Sequence, residues 1–158
     1  MQRISVTEME KHMAGVQRKA SVVWEGDLMS GSGTITETGS GAFGNLPVTW
    51  KARTDTSDGM TSPEELIAAA LASCFSMALS NGLAKAGNPA SKLEVTATST
   101  LTMDGGPKVS SIDLDVRGTV DGMDQNAFAE AAKAAGEGCP VSGALKGNVT
   151  INVTAQLA

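Results

Sequence analysis

The sequence predicts an α+β protein with largely antiparallel sheets, its elements ordered βββ-α-ββ-αα-β around one central helix. Three observations predict it. Residues 61–86, TSPEELIAAALASCFSMALSNGLAKA, form the only long apolar stretch, with no charge between Leu66 and Leu79. Residues 92–103 and 109–120 alternate apolar and polar side chains, the signature of strands with one wet face. Glycine- and proline-bearing segments such as GSGAFGNLP and DGGPK punctuate the chain where hairpins and loops are needed.

Taken in order, residues 1–15 read as a polar N-terminal arm, and residues 16–158 as the folded domain. The single histidine, His12, lies in the arm. A meander of three strands follows, in KASVVW, SGTITET and PVTWKAR. The central helix begins at Pro63, which suits a first helical position because its missing N–H costs nothing there. Ser62 is its N-cap, and Glu65 three residues later completes a capping box. A helix apolar on every side needs protein all round it. One chain offers few elements to enclose it, so an intertwined homodimer is expected.

Beyond the helix, KLEVTATSTLTM and VSSIDLDVRGTV make a hairpin across DGGPK. Asp124 caps an alanine-rich helix, QNAFAEAAKAAGEG. Cys139-Pro140 opens a short second helix, PVSGAL. The last strand places Val149, Ile151, Val153, Ala155 and Leu157 on one face.

Composition excludes several functions. Seventeen acidic against 12 basic residues give a net charge of −5, and aromatics make up 3% with no tyrosine. The basic residues are scattered, so neither nucleic acid nor an anionic membrane is an expected partner. The apolar run is interrupted at Asn81 and Lys85, and the first twenty residues carry charges throughout, so no membrane span and no signal peptide is expected. The expected location is cytoplasmic. With one histidine and two cysteines outside any C-x-x-C spacing, neither a Ser-His-Asp or Cys-His apparatus nor a metal site is supplied. No dinucleotide or nucleotide loop motif is present, and no cofactor is expected.

What remains is thiol chemistry. A thiol attacks as thiolate, and an ordinary cysteine is only slightly ionised at neutral pH. Burial in the central helix would suppress ionisation of Cys74 further, so a reactive Cys74 needs a cation close by. Cys139 heads a short helix whose free N–H groups favour an anion, and by local physics it is the more acidic thiol. On these grounds alone, both cysteines are equally well read as core packing.

Several motifs together resemble the OsmC/Ohr family of organic hydroperoxide reductases, nearer to its OsmC-type branch. They are Trp24-Glu25-Gly26-Asp27 followed by GSGTIT; Arg53 after a strand; Thr61-Ser62-Pro63-Glu64-Glu65-Leu66; Cys74-Phe75-Ser76-Met77-Ala78-Leu79; and Gly138-Cys139-Pro140-Val141-Ser142. The resemblance departs from the family at Ser62, where an asparagine is usual, and in the N-terminal arm. It implies a thiol-dependent peroxidase without metal or cofactor, in which Cys74 is peroxidatic, Cys139 resolving, and Arg53 and Glu64 complete the site. The substrate implied is an organic hydroperoxide, with hydrogen peroxide a poorer one, and the reductant a dithiol, either a lipoyl protein or a small thiol. Phe43 and Leu46, in the Gly-rich loop, are the expected substrate contacts, whereas Phe75, Met77 and Met60 are better read as packing. The alternative from another class is a non-catalytic redox sensor or apolar-ligand binder on the same fold.

Glu64 and Cys74 stand ten positions apart. On a continuous helix that is about 15 Å of rise, so either a bend intervenes or, as is favoured here, the expected site spans two chains, with Arg53 and Glu64 coming from the partner.

Overall fold

Two hairpin-based sheets, each of three strands, carry the fold in a computed structural model that describes residues 15–158. The chain divides into two compact units between Thr61 and Ser62, the latter being the N-cap of the long helix. Of the N-terminal arm, all but Gly15 lies outside the described residues, His12 included.

In the first unit, β1 (Ala20–Glu25), β2 (Ser32–Thr38) and β3 (Leu46–Val48) form an antiparallel meander in that order. The β1–β2 turn is organised by Asp27, whose carboxylate accepts from the N–H groups of Met29 and Ser30 and from the Ser30 hydroxyl. These hydrogen bonds, the Ser30 hydroxyl first, hold the exposed Asp27 carboxyl below its ordinary range. The expected third strand is shorter than its sequence pattern implied. It stops at Val48, and Thr49 turns its side chain back to accept from Ala52 N–H at 3.0 Å, starting helix α1 (Trp50–Thr54). A β-branched residue acting as N-cap has therefore converted WKAR from strand to helix.

The second unit follows the expected order closely. Helix α2 (Pro63–Lys85) begins at Ser62, whose hydroxyl accepts from Glu65 N–H at 3.2 Å. Strands β4 (Ala90–Thr102) and β5 (Lys108–Val120) pair antiparallel. Helices α3 (Gln125–Gly138) and α4 (Pro140–Leu145) then lead to β6 (Thr150–Leu157), which pairs parallel with β5. A parallel neighbour requires a crossover, and the α3–α4 segment supplies it. The sheets are thus antiparallel apart from this one pair.

The core lies between one face of β4-β5-β6 and helices α2 and α3. Leu71, Phe75, Leu79 and Leu83, at helical spacing on α2, are fully buried with Ile112, Leu114 and Val116 of β5 and Phe128 of α3. Each such side chain contributes roughly 1.5–3 kcal/mol by leaving water. Phe128 seats on Gly118, where an added Cβ would fall 2.6 Å from its ring atom Cε2. The amide of Gln125 closes the edge of β6, donating to Ala155 O and accepting from Leu157 N–H, both at 2.8 Å.

By length and composition α2 is apolar enough to cross a membrane, which the sequence reading had denied it; in the fold it is the core helix of its unit. Nor is it covered all round by its own chain. Ala69, Ala70, Ser73 and Ser80 are exposed, and Met77 is 70% exposed.

Candidate active site: a pair of neighbouring thiols

Cys74 sits midway along α2, on the border between its buried and bare faces. Cys139 ends α3 and caps α4, in the extended backbone that lets the chain turn from one helix into the next. Pro140 fixes the first position of α4 and gives up no hydrogen bond in doing so. This junction brings the two side chains close enough that each shifts the ionisation of the other, and both are free thiols.

Their surroundings differ. Cys139 is 1% exposed and joins the core cluster, whereas Cys74 is half-buried and opens onto a groove between α2 and α3. That groove has a volume of about 740 Å³ and is walled by small or apolar side chains, among them Met77, Ala78, Ala131, Ala135 and Pro140.

The electrostatics divide the pair. Burial pushes the Cys74 thiol up, and the neighbouring Cys139 thiol raises it further, against a lowering effect of Val141 N–H. Burial alone would also raise Cys139, but it is outweighed by the Cys74 thiol, by the Ser142 N–H and the nearby Ser142 hydroxyl, and by Val141 N–H, so the Cys139 thiol falls below its ordinary value. A first negative charge on the pair therefore favours Cys139. Local reasoning at the head of α4 anticipated this acidity; the contribution of Ser142 was missed. A serine three residues after a cysteine that precedes proline was the signal available for it.

The other expected site residues are distributed over both units. Arg53 lies on α1, after a strand that ends sooner than expected, with its guanidinium 5.7 Å from the centre of the Trp50 ring. Glu64 is buried in the first turn of α2. Because α2 is continuous from Pro63 to Lys85, Glu64 and Cys74 of one chain stand about 15 Å apart along its axis. Phe43 is 44% exposed in the loop before β3, where its carbonyl accepts from Thr38 Oγ1 at 2.9 Å. Leu46 is not in that loop but opens β3, paired with Ile35. Phe75 is core, as expected, whereas Met77 borders the Cys74 groove instead of packing in the interior. Among the described residues, no three His, Cys, Asp or Glu side chains cluster in a way that could hold a metal ion.

Comparison with known proteins fits this arrangement of sheets and helices. The family model of OsmC-like proteins matches residues 56–154, so the chain belongs to the OsmC family. It is 38% identical to peroxiredoxin OsmC of Escherichia coli over 138 residues, which spans 87% of this chain and 95% of that one. Among solved structures, the organic hydroperoxide resistance protein OhrB of Bacillus subtilis superposes with a TM-score of 0.69 at 27% identity, over 87% of this chain and 98% of that one. An organic hydroperoxide resistance protein of Elizabethkingia anophelis shares the fold at 20% identity, with a TM-score of 0.66 over 92% of this chain and all (100%) of the other.

Proposed function

We propose that this protein is a cysteine-based peroxidase that reduces organic hydroperoxides, and hydrogen peroxide less well, to alcohols. The observation that carries the reading is the proximity of the Cys74 and Cys139 thiols, one on a largely apolar groove and the other sealed in the core. The names of its relatives, a peroxiredoxin and an organic hydroperoxide resistance protein, support the same chemistry.

In this account Cys74 is the peroxidatic residue. Its thiolate attacks the outer peroxide oxygen; an S–O bond forms, the O–O bond breaks, and the alkoxide leaves as the alcohol with a proton shed by the thiol pair. Cys74 is left as a sulfenic acid. Cys139, the resolving residue, then attacks that sulfur, the disulfide closes and water departs. A dithiol reductant, a lipoyl protein or a small thiol, reopens the bond. Such recycling suits a reducing, cytoplasmic setting.

Within one chain the first charge favours Cys139, so the peroxide step requires a cation that draws charge onto Cys74. Arg53 fills this role, with Glu64 fixing its guanidinium in a two-pronged ion pair. The length of helix between Glu64 and Cys74 supports a site completed by a second copy of the chain. The bare apolar face of α2 around Ala70, Ser73 and Met77 is the surface that copy covers. Phe43 and Leu46 contact the organic part of the substrate.

The test is peroxide consumption with dithiothreitol as reductant, comparing cumene hydroperoxide with hydrogen peroxide. Wild type should prefer the organic peroxide, and Cys74→Ser should abolish turnover. Consumption that survives in Cys74→Ser, or none in wild type, overturns the reading and favours a non-catalytic sensor or ligand-binding role.

A further inference from the structure

Ser142 is the one member of the thiol cluster that the peroxidase reading leaves without work. Its side chain is more than nine-tenths buried, at 7% exposed, and its Oγ meets no hydrogen-bond partner in the resting geometry. A buried hydroxyl left unpaired is uncommon, and a reserved redox or catalytic role is one of the few reasons a fold retains it. The backbone places it for such a role. Cys139 caps α4 and Ser142 lies in that helix's first turn, so the serine N–H and hydroxyl both address the Cys139 sulfur. Cys139 is itself sealed from solvent, so no water can solvate a charge on it.

We infer that Ser142 is a positioning residue whose hydroxyl turns onto the Cys139 sulfur when that sulfur carries charge, so that it serves as nucleophile when the disulfide closes and as leaving group when it reopens. The inference rests on the thiol-peroxidase reading of the same pair. In closure, Cys139 thiolate attacks the Cys74 sulfenic sulfur; the S–S bond forms, the S–O bond breaks, and the departing hydroxide takes the proton that Cys139 gave up, leaving as water. In reopening, an external thiolate attacks the more exposed sulfur, Cys74. The S–S bond breaks toward Cys139, whose thiolate departs into the hydrogen bonds of Ser142 and Val141 N–H, and a mixed disulfide forms on Cys74. The second thiol of the dithiol then frees Cys74 and is itself oxidised to the disulfide.

The titratable group facing Cys139 is the Cys74 thiol from α2. Lys133 and Glu137 of α3, and Lys146 just beyond α4, are exposed to solvent and are not among the groups that shift it. A pH profile of Cys139 therefore reports on Ser142 once Cys74 is removed.

The test has two arms. In a Cys74→Ser background, the pH dependence of Cys139 alkylation by iodoacetamide in gently loosened protein is compared with and without Ser142→Ala. In the full chain, disulfide closure after one equivalent of cumene hydroperoxide is followed by quenched alkylation and mass spectrometry. Ser142→Ala should move the alkylation profile to higher pH and slow closure about tenfold, the effect of one charge-assisted hydrogen bond. Ser142→Thr, which keeps the hydroxyl, should restore both, and thermal denaturation of each variant separates these effects from loss of fold. An unmoved alkylation profile overturns the inference even if wild type reduces peroxides. Wild type that never oxidises Cys74 overturns the peroxidase reading instead, and the alkylation arm still decides the role of Ser142.

Discussion

Cys74 and Cys139, 65 positions apart in the chain, come together at the junction of α2 with α3 and α4, where each thiol shifts the ionisation of the other. The contact ties the sulfur of a half-exposed helix residue to one within the hydrophobic core. It makes the two titrations interdependent.

The pair should lose its two protons in separate steps, the first below and the second above the ordinary thiol range. Cys139 is the acidic member, so its anion stabilises the fold at pH above the unfolded thiol value, and this contribution is lost as pH falls through the folded one. Cys74 has the opposite sign: its neutral form stabilises the fold below the unfolded value, and that is lost as pH rises through the raised one. Thiolate absorbance across pH 5–11, in wild type and in each single Cys→Ser variant, checks the order of the two steps.

Much of this was legible in the chain. The capping box at Ser62 and Glu65, the alternating strands of the second sheet and the Asp124 cap are local signals, and each element begins or ends within a few residues of its expected place. WKAR read as strand because Thr49 and Trp50 have strand-like side chains; the cap hydrogen bond at Thr49 depends on backbone geometry that composition does not display. Apolarity around α2 did not separate its core face from its bare one, because alanine suits both. The meeting of Cys74 with Cys139 joins residues 65 positions apart in the chain, beyond the reach of any local pattern.

Gly118 should tolerate no side chain. A methyl group there would meet the Phe128 ring and Leu93 Cδ2, the latter at 3.3 Å. Gly118→Ala is expected to destabilise the protein by about 1–3 kcal/mol, read as a lower urea midpoint. Leu79→Ala, which empties a fully buried position on α2, should cost about 2–5 kcal/mol in the same assay.

The bare face of α2 should behave as an interface. Met77→Glu places a charge on an exposed position, so the second unit should keep its core while self-association weakens by at least tenfold in sedimentation equilibrium. An unchanged dissociation constant would assign that face to something other than a second copy.

If Arg53 of one copy serves Cys74 of the other, two inactive variants should complement. Cys74→Ser and Arg53→Ala, each inert alone, should on unfolding and refolding together regain about a quarter of wild-type turnover, because half of randomly mixed dimers hold one intact site of two. No recovery would place both residues in a site built from a single chain.

The central claim, that the thiol pair itself reduces the peroxide, is tested most directly by one turnover without reductant. Reduced protein is given one equivalent of cumene hydroperoxide and mapped by peptide mass spectrometry. Wild type should yield one cumyl alcohol and a Cys74–Cys139 disulfide, and Cys139→Ser should stop at a dimedone-trappable sulfenic acid on Cys74. Alcohol formed with both thiols still reduced, or first oxidation on Cys139, would contradict the account.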